Sequence, residues 1–376
     1  MIYIKKNPET MTSKERVKRT FNFEKTDRVP IDYMANPGIH GRLAKKLGVA
    51  VEGDYVLEAL GVDFRCIWPA YKGPSLFPKL PNIRTDPVYG FNMRWVEHEG
   101  GGYWDFCDFP LINADSVTIA EFPVPDPENF DYDDAYESIK KYDSYSLYIG
   151  GPGLADIINS TGRVLGMEKT LINLTLEDEA TLRYIQRRCD MELGIVEKLL
   201  QNSEGDIDFL WIGEDLGTQR APMISLEMYR RVLRPMHKRY VDMAKAYNLP
   251  VMMHCCGASS WVFEDFIQMG ISAIDTLQPE AVGMDPETLV ERFGGRLVFH
   301  GGISTAGALT FGTVNDVISD VKNTLAAFMQ CGGYCFSPTH MIQDNSPVEN
   351  VIAMYNAAHQ YGSQVVKCQE VIGKKF

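Results

Sequence analysis

The run His254-Cys255-Cys256-Gly257 carries the sharpest chemistry in the sequence. Residues two apart on an extended strand point to one side, so His254 and Cys256 can reach the same metal ion while Cys255 faces away. Imidazole and thiolate are typical zinc ligands, and a catalytic zinc takes three protein ligands and leaves a fourth position for water or substrate. The third ligand must come from elsewhere in the chain. His340 is the first candidate and Glu214 the second, with Cys331 and Cys335 behind them. The spacing also admits another reading, a buried histidine beside a small buried apolar residue.

Further polar residues fall at comparable positions, each just after a short apolar run: Glu214-Asp215, Asp275 and Gln278, His300 followed by Gly301-Gly302, and Thr339-His340. Glu214 and Asp215 can serve as general bases, metal ligands or helix caps. Glu214, Asp215 and His340 are the candidate catalytic groups. Asp275, Gln278, Gly301, Gly302 and Tyr71 are the candidate substrate contacts, although the glycines can equally be turns that the backbone requires. His300 reads more readily as a hydrogen-bonded core imidazole. His40, His98, His237 and His359 carry no constellation and read as surface or packing residues, whereas Asp63 and Arg65, within a strand, read equally as a buried ion pair or as functional groups. No Gly-x-Ser-x-Gly elbow or phosphate-loop spacing is present.

What positions these groups is an alternation of short apolar runs with amphipathic helical stretches, the pattern of a parallel sheet built from βα units. Runs at 28–34, 62–68, 146–151, 207–213, 249–255, 271–276, 296–301 and 332–337 predict eight strands and hence an α/β fold, a (β/α)8 TIM barrel. In such a barrel the chemistry sits at the C-terminal strand ends, where the polar residues above fall. Helices are expected over about 178–201, 225–247 and 315–330, the last capped by Asn315 and stopped at Gly332-Gly333. An insertion at about 71–145, after the second strand, holds a predicted β-hairpin, 92–98 with 103–106 around Gly100-Gly101-Gly102. It also carries an acidic, proline-rich stretch from Glu121 to Asp134. Residues 1–376 read as one domain.

Among the 376 residues 45% are hydrophobic and 23% charged, ordinary globular composition that is ample for a large core. A formal net charge of -13 argues against a surface that neutralises nucleic-acid phosphates. No apolar run reaches the roughly 18 residues of a membrane helix, and residues 1–24 are not signal-like, so a cytoplasmic protein is expected. Eight cysteines are too dilute for a disulfide scaffold.

In their order along the chain these motifs resemble the uroporphyrinogen decarboxylase superfamily, which includes zinc methyltransferases acting on corrinoids. The matching passages are 213–219 with 225–230, His254-Cys-Cys-Gly257, Gln278-Pro279 with 283–286, Gly301-Gly-Ile303, and 337–343 leading into 346–350. The resemblance implies the same barrel. True decarboxylases carry an arginine-rich loop where this chain reads Met34-Ala-Asn-Pro-Gly-Ile-His-Gly-Arg42, and an essential aspartate where it has Trp68-Pro-Ala-Tyr71. The methyltransferase branch has a His-x-Cys-Gly zinc motif and a later cysteine, at whose position His340 stands here. The resemblance thus implies a zinc enzyme (metal ligands His254, Cys256 and His340) that moves a methyl group between a small methoxy or thiol compound and a corrinoid (cobalamin) carried by a partner protein. A homodimer is the candidate assembly. A decarboxylase related to porphyrin synthesis, and a non-catalytic barrel that binds a small molecule, are the alternatives.

Overall fold

The structure, a computed structural model, describes residues 4–98 and 101–363. Its core is a curled sheet of seven parallel strands in sequential order: β1 (Phe64–Ile67), β2 (Ser146–Gly150), β3 (Phe209–Gly213), β4 (Val251–His254), β5 (Ala273–Leu277), β6 (Val298–Ile303) and β7 (Tyr334–Pro338). Helices pack on the outside, as consecutive parallel strands require. The eighth expected strand, at 28–34, does not form a ladder. Its residues make two isolated parallel bridges, Ile31 with Phe336 and Ala35 with Ile342. Asp32 N–H donates to the Phe336 carbonyl at 2.9 Å and Asp63 N–H to the Ile31 carbonyl at 2.9 Å, so the segment lies between β7 and β1. Pro30 within it has no N–H to give, which limits continuous pairing.

Strand alternation sorts each run into two sides. Phe64, Phe209, Trp211, Met252, Ala273, Val298 and Cys335 form an inner apolar cluster with Val17 of the helix Ser13–Phe21. Leu210, Ile212, Met253 and Phe336 pack outward against the helices. The inner cluster is a floor. Residues of the same parity further along the strands, Cys66, Gly213, His254 and Asp275, therefore project into the lumen above it. Cys66, on this side of β1, is exposed to solvent.

Below the floor, Asp63 accepts from Arg16 Nη1 at 2.7 Å, Arg28 Nη1 at 2.6 Å, Ser13 Oγ at 2.7 Å and the Ile31 N–H at 2.8 Å. The ion pair expected with Arg65 is not made. Arg65 instead stacks on Tyr145, 3.9 Å from the ring centroid, with Asp54 at 3.8 Å. Asp63 thereby ties the first helix, the closing segment and β1 together.

The helix Glu179–Gln201 starts at Asp178, whose carboxylate accepts from Thr181 N–H. Val314–Phe328 is capped by Thr313 in a capping box with Asp316, two residues before the Asn315 expected from sequence. The third long helix is interrupted by a π turn at Tyr229–Leu233, just before Pro235, which cannot donate the next helical bond. In the insertion, Asn92–His98 pairs antiparallel with Gly101–Cys107, Trp95 opposite Trp104; Gly100 lies outside the described residues. The acidic stretch forms a short pair, Ala70–Tyr71 with Phe130–Asp131, followed by the helix Tyr132–Lys141. No helix among the described residues is long and apolar enough to cross a membrane.

Candidate metal centre

Asp215, His254 and Cys256 present ligand atoms that all lie within 4.8 Å of one another. Cys256 Sγ is 3.3 Å from His254 Nε2, and Asp215 Oδ1 is 3.6 Å from the same nitrogen. His254 and Cys256 meet because they share strand parity, while Cys255 is buried on the other side. Asp215 arrives two residues beyond Gly213, the Cα partner of His254 in the adjacent strand. Its carboxylate is held by the Cys256 N–H at 2.9 Å and by Asn159 Nδ2 at 2.8 Å. Burial works against its charge, yet His254 and these donors keep Asp215 below the usual aspartate range. Gly257 closes the turn at φ 73°, and a Cβ there would stand 2.4 Å from the Gly217 carbonyl oxygen, so only glycine fits.

Behind His254 runs a buried chain of polar groups. His254 Nδ1 lies 2.5 Å from Asp275 Oδ2, Asp275 Oδ1 lies 2.6 Å from His300 Nδ1, and His300 Nε2 lies 3.1 Å from Asp32 Oδ2. His254, Asp275 and His300 are Cα partners in one register row of β4, β5 and β6, which is why neighbouring side chains meet. Thr276 adds its hydroxyl 3.0 Å from His254 Nδ1. It does so at φ 65°, where a bulge shifts the β5–β6 register. A β-branched residue there is strained by about 1–3 kcal/mol. Burial opposes ionisation of Asp275, but His300 and His254 hold its carboxyl well below the usual range.

The other expected site residues are placed differently. His340, the first candidate for the third ligand, is exposed in the bend after β7; its Nδ1 lies 3.4 Å from Gln343 Nε2, and it is not in the ligand group. Glu214 is turned outward. Its carboxylate accepts from the N–H groups of Ile157 at 2.9 Å and Ile158 at 3.1 Å, capping the helix Ile158–Leu165, and lies 3.3 Å from the buried His237. Among the described residues the group that could hold a metal ion thus contains Asp215 rather than His340 or Glu214, and Glu214 caps a helix. Cys335 belongs to the floor, and Cys331 donates to the Phe328 carbonyl at 3.0 Å.

Asp275 supports His254 rather than standing free for a substrate. Gln278 Oε1 accepts from the Gly257 N–H and from Gln219, both at 2.8 Å, which fixes the cysteine loop. Tyr71 commits its hydroxyl to the Pro74 carbonyl at 2.7 Å and its ring to Phe130. Gly301 sits at φ 114° with Leu277 N 3.0 Å from where a Cβ would be, and Gly302 faces Phe328 and Thr324, so both serve strand packing. Sequence reasoning does not single out Asn159, Thr276 or Asp32 as site residues, and it reads His300 as a hydrogen-bonded core imidazole. Strand parity is the signal that points to Asp32 and His300, since both follow the inward alternation.

These protonation preferences make stability depend on pH. Burial pushes the carboxyls of Glu214 and Asp156 up to about 8 each. Burial would lower His300, but Asp275 and Asp32 lift it to about 9. Each group binds its proton more tightly folded than unfolded, so the stability these protons carry is full below the ordinary values of 4.5, 3.8 and 6.5 and is lost as pH rises to the shifted ones. His237 and His359, depressed to about 4, titrate below 6.5 and do not offset this. Unfolding free energy should therefore fall by roughly 2 kcal/mol or more between about pH 6.5 and 9. A flat or rising profile in denaturant titrations would refute these assignments.

A curled parallel sheet with a group of metal-binding type at its C-terminal mouth is an α/β fold of barrel type. Residues 196–361 match the family model for uroporphyrinogen decarboxylase (URO-D). Two curated uroporphyrinogen decarboxylases of Legionella pneumophila are 22% and 24% identical over 293 residues, 75% of this chain and 78% of each relative. A solved structure, a methyltransferase from Methanosarcina mazei, superposes with a TM-score of 0.64 at 15% identity, over 94% of this chain and 99% of that one. The resemblance to the uroporphyrinogen decarboxylase superfamily drawn from the motifs therefore holds, and the fold is shared with a methyltransferase.

Proposed function

We propose that this protein is a zinc-dependent methyltransferase that moves a methyl group between a small methoxy or thiol compound and a corrinoid carried by a partner protein. The observation that carries the reading is the Asp215, His254 and Cys256 group at the lumen mouth, with the far nitrogen of His254 already committed to Asp275. The donor set fits zinc. Four-coordinate zinc with bonds of about 2.0–2.3 Å sets donor atoms roughly 3.3–3.6 Å apart, and the separations about His254 Nε2 are 3.3 and 3.6 Å. Three ligands leave one position open, which is the catalytic rather than the structural pattern.

Zinc bound there would supply Lewis acidity to the heteroatom that carries the methyl group. Asp215 and Cys256 would bring two negative charges to hold the cation, one on a hard oxygen, which favours an oxygen-linked methyl donor over a two-thiolate site. His254 is oriented by Asp275 and Thr276, and the Gln278 bond to Gly257 keeps Cys256 in place. The lumen beside Cys66 receives the small compound, and the corrinoid partner approaches over the mouth.

The decarboxylase alternative is supported by the names of the Legionella relatives, and one experiment separates the two. The purified protein should contain about one zinc per chain and methylate cob(I)alamin from some member of a panel of methoxylated and methylated compounds, with a chelator abolishing the transfer. Release of carbon dioxide from uroporphyrinogen by a zinc-free protein would instead establish the decarboxylase.

A further inference from the structure

Asp275 has two carboxylate oxygens and both are spoken for, one by His254 and one by His300. His300 is in turn held on its other ring nitrogen by Asp32, on the segment that follows β7 around the sheet and bridges it to β1. The Asp32 carboxylate is itself fixed, its Oδ1 accepting from the Tyr33 N–H at 2.8 Å and its backbone N–H bonded to Phe336. His300 is fully buried, with its ring edge-on to Phe64 at 5.8 Å and to Trp211 at 5.4 Å, so it cannot swing away from this line. If Asp275 lost its bond to His300, its free oxygen would compete for the Nδ1 proton of His254 in a rotated pose, and the imidazole would lose its single orientation.

We propose that His300 and Asp32 are positioning residues for the metal centre: together they fix the Asp275 carboxylate so that His254 keeps its proton on Nδ1 and offers Nε2 to the ion. This rests on the zinc reading for its purpose but not for its geometry. A carboxylate behind a metal-binding histidine fixes tautomer and orientation, and losing such support costs about 10–100-fold in affinity. Here that support extends two residues further, past β7 to the closing segment. It also gives the 28–34 run a role that its poor strand pairing does not explain.

The test uses His300→Leu, which removes both hydrogen bonds, and His300→Asn, whose amide nitrogen can replace Nδ1 toward Asp275. Zinc affinity is measured in the full chain by competition with a chromophoric chelator. The Nδ1–H bond from His254 to Asp275 is read in the metal-free protein from its downfield proton resonance after nitrogen-15 histidine labelling. We expect His300→Leu to weaken zinc binding by about 10–100-fold and to shift or broaden that resonance, and His300→Asn to restore both largely. A folded His300→Leu with zinc affinity within about twofold of the parent and an unchanged resonance overturns the proposal. Should that variant not fold, Asp32→Ala is measured in the same two ways: weaker zinc binding with a shifted or broadened resonance supports the proposal, and parental values for both overturn it. If the parent binds no zinc, the zinc reading fails, and the proton resonance alone still decides whether His300 and Asp32 position His254.

Discussion

Asp215→Ala should strip the protein of zinc, whereas His340→Ala should leave it loaded. Asp215 is the carboxylate that stands with His254 and Cys256, and its side chain retains 28% of its accessibility, enough to meet an ion at the lumen mouth. His340 is exposed beyond β7 and lies beside Gln343. Losing one of three protein ligands should exceed the loss from a supporting residue, so the affinity of Asp215→Ala should fall by more than about 100-fold. Any activity that needs the metal should fall with it. Glu214→Gln is the informative companion: with its carboxyl pushed by burial to about 8, Glu214 is mostly uncharged at neutral pH, and the amide should retain zinc. Elemental analysis of the three variants checks the expectation, and zinc loss in His340→Ala with retention in Asp215→Ala would reverse the assignment.

The largest effect away from the site is expected from Asp63→Ala. The Asp63 carboxylate is fully buried, and Arg16 and Arg28 both rest on it, with Nη1 distances of 2.7 and 2.6 Å. Removing it leaves two buried guanidiniums short of a counter-charge and frees the Ile31 N–H, to which it is bonded at 2.8 Å. Breaking a buried pair in this way costs about 3–5 kcal/mol, a large part of the roughly 5–15 kcal/mol that holds a native protein together. Arg16 keeps Asp27 and Arg28 keeps Glu9, which should prevent complete unfolding. The denaturation midpoint should therefore drop sharply while zinc content of the folded fraction stays unchanged. A midpoint shift worth less than about 1 kcal/mol would show that the remaining carboxylates suffice.

Period-two alternation made much of this architecture legible. Seven of the eight expected runs became strands of one parallel sheet, and the pairing of His254 with Cys256 followed from their spacing. The run 28–34 reads as a strand by composition, but Pro30 and the inward Asp32 leave it with isolated bridges. Which residue joins His254 and Cys256 was harder to read because Glu214 and Asp215 are adjacent carboxylates just past a strand end. Continuing the inward series Phe209, Trp211 and Gly213 reaches Asp215 and turns Glu214 outward, as observed. The same count from Cys335 through Ser337 and Thr339 passes over His340. Tyr71 and Gln278 could not be placed from sequence, because their partners Pro74, Phe130 and Gly257 meet them only through loop paths that no periodicity encodes. The chain from His254 to Asp32 was half legible: alternation turns Asp275, His300 and Asp32 inward, but which of them meet depends on register between strands.

X-ray absorption at the zinc edge of the purified protein should show one sulfur at about 2.3 Å with nitrogen and oxygen neighbours at about 2.0–2.2 Å, including a single imidazole. Cys256→Ala, which removes that sulfur, should lose its zinc as Asp215→Ala does. A site with two sulfurs, a site with two imidazoles, or a protein without zinc would contradict the assignment of Asp215, His254 and Cys256 as its ligands.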